Sequence, residues 1–295
     1  MNHAINIYLD HFGLQERPFS LVPDPDFLFW SPAHKRAYAM LEYGIVTRAP
    51  ITLITGDVGA GKTTLLHHLL KSMDGDVQVG LVSNAHGTRD ELLRWVLQSL
   101  DQRFPQDADY VALFGQFEQY LIACYSAGRR VVLIFDEAQN LSPASLEELR
   151  MLTNINANKD ELLQLVLVGQ PELRAMVRRP ELTQFAQRVA ASFHLPALDA
   201  DMVIEYVDHR LTVAGAREPI FTAGACNIIC TVTKGVPRLI NQLCDLSLLY
   251  AYTDEKLAVS EAIVDQVLKD GVFFAGGVDQ DDLEEDVFRS RNVVK

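Results

Sequence analysis

Cysteine is scarce in this chain. There are four in 295 residues, Cys124, Cys226, Cys230 and Cys244, with no C-x-x-C pair and no histidine at metal-ligand spacing. That excludes a disulfide framework and a zinc module, and the thiols read as reduced and mostly buried, as in a cytosolic protein. Basic residues are short as well, with Lys+Arg 26 against Asp+Glu 39 and a net charge of −13. Such a balance repels a polyanion at long range, so broad wrapping of nucleic acid is disfavoured and only a local basic patch stays compatible with it. No apolar run approaches the ~20 residues of a membrane span. The opening stretch, Met1 to Asp10, lacks the charged-then-apolar order of a signal peptide. Internal repeats and low-complexity segments are missing too. What is present is globular composition, 48% hydrophobic and 22% charged, in 295 residues. That length suits about two domains, each able to bury a core without staples.

Residues 1–50 read as an arm and a first helix. Phe12, Pro18, Phe19, Pro23, Pro25, Phe27, Phe29 and Trp30 interleave aromatics with prolines. Each proline lacks a donor and restricts the residue before it, which excludes a helix or a central strand and predicts an irregular arm packed against a body. Ser31-Pro32 then supplies an N-cap and a first helical residue. Across 51–198, short apolar runs at 51–55, 77–83, 131–135, 165–169 and 189–195 alternate with helical stretches at 63–73, 88–100, 111–127, 144–154 and 172–179. The first four runs are nearly continuous in Val, Ile and Leu, as strands buried on both faces are. The alternation predicts an α/β fold, a parallel five-stranded sheet covered by helices. Helices at 199–214, 222–233, 237–253 and 260–269 follow with no further strand, making 199–270 an all-helical lid. Residues 271–295, with Gly276, Gly277 and the acids from Asp279 to Asp286, read as a solvated acidic tail.

The strongest chemical signal is Gly56-Asp57-Val58-Gly59-Ala60-Gly61-Lys62-Thr63, followed by Thr64. It satisfies G-x-x-x-x-G-K-[ST] directly after a strand and before a helix, a match that average composition gives in about one such chain per hundred. Glycines let backbone N–H groups converge on phosphate oxygens, and the helix beginning there turns its positive end to the same anion. Lys62 is expected on the β- and γ-phosphates and the Thr63 hydroxyl on Mg²⁺. The second signal is the strand Val131-Val132-Leu133-Ile134-Phe135 ending in Asp136-Glu137, two carboxylates at the edge where ligands of parallel sheets bind. Asp136 suits the magnesium through water, and Glu137 suits a general base that deprotonates an attacking water. Separate Asp and Glu favour the additional-strand class, in which the phosphate-loop and magnesium strands are not adjacent. His67-His68 sit at i, i+1 on a helix, where the rings diverge and cannot share a metal.

With these residues in view the chain resembles the AAA+ ATPases, in particular the secretion-pathway protein A (ExeA-type) group, which includes ATPases of pilus biogenesis and exosortase systems. Beyond the two nucleotide motifs, the resemblance rests on Phe12-Gly13-Leu14 with Pro18-Phe19, Pro23-Asp24-Pro25, and Asp136-Glu137-Ala138-Gln139-Asn140-Leu141. Leu149-Arg150, Val168-Gly169-Gln170-Pro171-Glu172-Leu173, Gln187-Arg188 and Gly235-Val236-Pro237-Arg238 complete it. The resemblance implies Gln170 as sensor 1, reading the γ-phosphate. It implies Arg188 as an arginine finger entering a neighbouring subunit, with Arg178 and Arg179 as competitors, and Arg238 as sensor 2 on the lid. Asn84, or Ser83 beside it, would be a polar switch on Glu137. Full-length relatives carry a membrane span and a peptidoglycan-binding region after the ATPase; this chain ends at Lys295, so cell-wall binding is not expected of it.

The expectation is a Mg²⁺-dependent ATPase, cytoplasmic or peripheral at the inner membrane, acting as a ring or helical homo-oligomer. Its client would be a protein of a secretion, pilus or exopolysaccharide apparatus. A DNA-bound regulator of transposition is the alternative, opposed by the net charge; Arg174, Arg178 and Arg179 are its candidate contacts. A nucleotide-gated scaffold with little turnover is the second alternative, opposed by the intact Glu137.

Overall fold

The computed structural model describes residues 7–73, 75–83, 89–157 and 160–274. The chain separates into two compact units, one of residues 32–57 and 65–195, the other of residues 1–31, 58–64 and 196–295.

The first unit is built on five strands, β1 (Ile51–Gly56), β2 (Val77–Ser83), β3 (Arg130–Asp136), β4 (Leu163–Gly169) and β5 (Val189–Leu195). Every pairing is parallel, in the order β2-β3-β4-β1-β5. Burial explains the composition of each strand. All six residues of β1 and all seven of β4 are buried, and these are the continuous apolar runs. The edges β2 and β5 are partly exposed, with Leu81 39% accessible on β2 and polar Ser192 and His194 on β5. Helices α2 (Pro32–Val46), α3 (Lys62–Ser72), α4 (Arg89–Ser99), α5 (Tyr110–Ser126), α6 (Pro143–Leu152), α7 (Pro171–Val177) and α8 (Thr183–Arg188) fill the connections. Their starts follow capping chemistry, with Asp109 and Ser142 accepting from the N–H of Ala112 and Ser145. The core joins Leu92, Leu93 and Leu97 of α4 and Phe117 of α5 to Leu133, Phe135 and Leu165 of the sheet. Helix α8 and a two-residue pairing of Asn156–Ala157 with Asp160–Glu161 are among the elements that escaped the sequence pattern. Both are too short to develop a period.

The second unit holds α9 (Ala200–Val213), α10 (Ala223–Thr233), α11 (Pro237–Thr253) and α12 (Glu261–Lys269), and, where the sequence predicts an arm without helix, a single turn α1 (Leu9–Phe12) that precedes the arm's first proline. The arm is part of its core, since Leu9, Leu14, Phe19 and Phe27 are buried with Val207, Ile229, Leu243 and Val264. Polar clamps fix it. The Tyr8 hydroxyl donates to Asp245, which also takes Arg17 at 2.5 Å. Buried Arg210 donates to the Pro18 carbonyl at 2.6 Å and lies 4.5 Å over the Phe27 ring. Phe273 is buried in the same core, whereas the acidic run expected as a tail lies outside the described residues. All four cysteines are free thiols, three of them buried.

Candidate functional site

The phosphate loop leaves the carboxyl end of β1 and closes where α3 begins at Lys62. Gly59 and Gly61 stand at φ +81° and +94°, a region L side chains avoid, so the loop curls its N–H groups inward only with glycine at both places. Gly59 is held in a second way. Its carbonyl accepts the Arg238 N–H at 3.2 Å, and a Cβ on it would stand 2.4 Å from the Arg238 Cβ. Arg238, the second residue of α11, is therefore placed against the phosphate loop. Lys62 and Ala60 are buried, Thr63 and Thr64 half-buried, Asp57 and Val58 exposed.

The carboxylates stand on the sheet. Strand β4 lies between β1 and β3, so the strand leading into the loop and the strand ending in Asp136 are not adjacent, the additional-strand arrangement. Asp136 closes β3 opposite Ser83 of β2, and its Oδ1 accepts the Glu137 N–H at 2.9 Å. Glu137 adopts φ +54°, the left-handed region, where a non-glycine residue carries strain. Two amides converge on its carboxylate. Gln139 Nε2 donates to Glu137 Oε2 at 2.6 Å and Gln170 Nε2 to the same oxygen at 3.1 Å. Gln139 Oε1 in turn accepts the Gln170 N–H at 3.0 Å. Gln170 occupies the N-cap position of α7 yet makes no side-chain cap bond, because its amide goes to Glu137.

Arg188 belongs to a different cluster. Its guanidinium donates to Thr153 Oγ1 at 3.4 Å and to Asn154 Oδ1, and pairs with Glu161 at 3.7 Å. With Pro50, Arg150, Gln184 and Gln187 it lines an open cleft of about 460 Å³. Of the competing arginines, Arg178 and Arg179 stand in the turn after α7, which ends at Val177 and carries only Arg174 of the three. Asn84 lies outside the described residues. Gln139 is the site residue sequence reasoning missed. It lies within the Asp136-to-Leu141 stretch that carries the resemblance, but no periodic or spacing signal gives an amide there a role, and its contacts are what supply one.

These residues fit a nucleoside triphosphate with Mg²⁺. Gly59 and Gly61, at φ +81° and +94°, carry no side chain that would obstruct an anion at the loop's backbone N–H groups, and by chemistry the Thr63 hydroxyl and the Asp136 carboxylate are each the hard oxygen type that magnesium selects. Among the described residues no group of three or more His, Cys, Asp or Glu could hold a metal.

Residues 46–177 match the family described as an AAA domain. Over 246 residues, 83% of the chain, the sequence is 41% identical to general secretion pathway protein A of Aeromonas hydrophila, and it spans 45% of that protein's length. Among solved structures, Cdc6p from Pyrobaculum aerophilum is similar at a TM-score of 0.67 and 15% identity, over 86% of this chain and 70% of that one. The ORC2 protein of Aeropyrum pernix, solved as ADPNP-ADP complexes, is similar at 0.62 and 17% identity, over 86% and 71%. At such identities the likeness to solved structures speaks for the fold alone.

Proposed function

Because the chain belongs to the AAA+ family of P-loop ATPases, as a relative of general secretion pathway protein A, we propose that it hydrolyses ATP with Mg²⁺ to drive assembly or remodelling of an envelope apparatus. The client is a protein of a secretion, pilus or exopolysaccharide system, met at the cytoplasmic side. Among the described residues no helix is long and apolar enough to cross a membrane.

The observation that carries the reading is Glu137, a strained carboxylate at the strand end beside Asp136 whose orientation two amides fix. Such strain persists only where surroundings impose it, and it concentrates at working sites. Each residue has a task. The loop amides and Lys62 take the phosphates, and Lys62 contributes a compact point charge in a cradle otherwise made of neutral dipoles. Thr63 and Asp136 would hold magnesium, which when bound would offset charge on the phosphate oxygens. Glu137 takes the proton of the attacking water. Gln170 supplies its amide to the terminal phosphate, and Arg238 supplies its guanidinium from the lid. Arg188 acts across an interface, in the ring or helical oligomer proposed here, by exchanging Glu161 for the phosphates of a second copy.

Two variants test the reading. Lys62→Ala is expected to abolish ATP binding in a fluorescence titration. Glu137→Gln is expected to keep ATP and lose turnover, since an amide takes no proton from water. Wild-type hydrolysis by Glu137→Gln would end the base assignment. That same variant, loaded with ATP in native lysate, is the bait for the client.

A further inference from the structure

Gln139 joins the carboxylate of Glu137 to the main chain of Gln170, just past the end of β4, through both ends of its own amide. Its nitrogen donates to Glu137 Oε2 at 2.6 Å, and its oxygen accepts the main-chain N–H of Gln170 at 3.0 Å. The second bond matters because it fixes the first: an amide held at its oxygen presents its nitrogen in one direction. Gly169 closes the arrangement. A Cβ there would meet Gln139 Oε1 at 2.9 Å, the Gln139 N at 3.3 Å and Leu173 Cδ2 at 2.8 Å, so strand β4 presses directly on Gln139. Glu137 stands at a strained φ of +54°, a conformation that persists only where its surroundings impose it.

We infer that Gln139 is the positioning residue of the general base, an amide strut that keeps Glu137 aimed while Gln170 is free to exchange its bond for the terminal phosphate. The inference rests on the reading of Glu137 as the base. The chemistry of the oxygen supports the division of labour. Each carboxylate oxygen offers about two lone-pair sites, and Gln139 and Gln170 both donate to Oε2. Once Gln170 turns to a phosphate, a site on Oε2 opens for the water proton. Gln139, tied to the main chain at the other end of its amide, holds the carboxylate in place through the change. The bond that moves and the bond that stays are then different bonds. A misplacement of about 1 Å at a reacting group costs on the order of 10²-fold in rate, which sets the scale of the effect.

The test is Gln139→Met, which keeps length and volume and removes both hydrogen bonds. Expected is a fall in kcat of up to about 10²-fold with the dissociation constant for ATP unchanged. The unchanged affinity doubles as proof of folding. In the Glu137→Gln background the same substitution is expected to change nothing further, because a strut without a base has no task; groups acting as a unit are non-additive in this way. Gly169→Ala, pushing Gln139 from the β4 side, is expected to repeat the kcat loss. A Gln139→Met protein with wild-type kcat, or one whose loss adds fully to that of Glu137→Gln, would overturn the inference while leaving the base in place. Full turnover by Glu137→Gln alone would instead overturn the base assignment, and the inference with it.

Discussion

At the scale of single residues, the glycines separate into those the chemistry requires and those it does not. Gly59 is required, for its φ of +81° and for the Arg238 Cβ 2.4 Å from any Cβ it would carry. Gly59→Ala should therefore cost stability, about 1–2 kcal/mol for the left-handed backbone alone, and weaken ATP binding by deforming the cradle. Gly115, inside α5 with nothing within 4 Å of a built Cβ, is the contrast. Gly115→Ala should stabilise by roughly 0.5–1 kcal/mol, because alanine loses less backbone freedom in a helix. Thermal melts and an ATP titration on the two variants separate a glycine that serves the site from one that does not.

Among elements, the helical unit depends on polar anchors as well as on its apolar core. Arg210 on α9 is buried, donates to the Pro18 carbonyl at 2.6 Å and covers the Phe27 ring. Arg210→Met keeps the stem and leaves that carbonyl without its donor; a loss of about 1.5–3 kcal/mol is expected in denaturant melts. The same unit should weaken at high pH. Burial pushes the Cys226 thiol from an ordinary 9.0 up to about 12, and that of Cys244 well above its ordinary value. A folded thiol that resists ionisation stabilises fully below the unfolded value, and that contribution is lost as pH rises towards the folded one. Stability should then fall from about pH 9 to 12, by up to about 1.4 kcal/mol per pH unit for each thiol. On the acid side, desolvation lowers His209, with Arg210 adding to the effect, so its contribution is lost as pH falls below 6.5. Urea melts across pH, beside a Cys226→Ala variant, measure the alkaline limb.

For the whole molecule the question is what completes the site. Arg188 sits in its own cleft, bonded to Thr153, Asn154 and Glu161, in a cluster separate from the amides on Glu137. If a second copy receives it, Arg188→Ala should bind ATP and hydrolyse it poorly, an arginine finger being worth about 10³–10⁵ in rate. Glu137→Gln fails for the opposite reason. Mixing the two inactive proteins, above the concentration at which light scattering detects assembly, should restore part of the activity. No recovery would move the finger to Arg178 or Arg179. The net charge of −13 adds a check on the transposition reading: ATP-dependent filaments on duplex DNA at about 150 mM salt would favour it.

Much of this protein is written locally. The phosphate loop, the Asp136-Glu137 strand end, the five strands and the four lid helices could be read from the chain, because glycine placement, apolar runs and capping residues act within a few positions. The starts of α2 at Pro32 and of α11 at Pro237 are of the same kind. Other features are absent from any window of sequence. The separate Asp136 and Glu137 already favour a strand between β1 and β3, but the full order, with β2 and β5 at the edges, is decided by which faces pack. That the arm belongs to the helical core rests on contacts such as Tyr8 with Asp245, 237 residues apart. Gln139 is the clearest case: one amide among many, given its place only when β3 and β4 pair and bring Gln170 to the same carboxylate oxygen. Local chemistry supplied the reactive groups, and long-range pairing supplied their aim, because direction in a site depends on neighbours that only folding brings near.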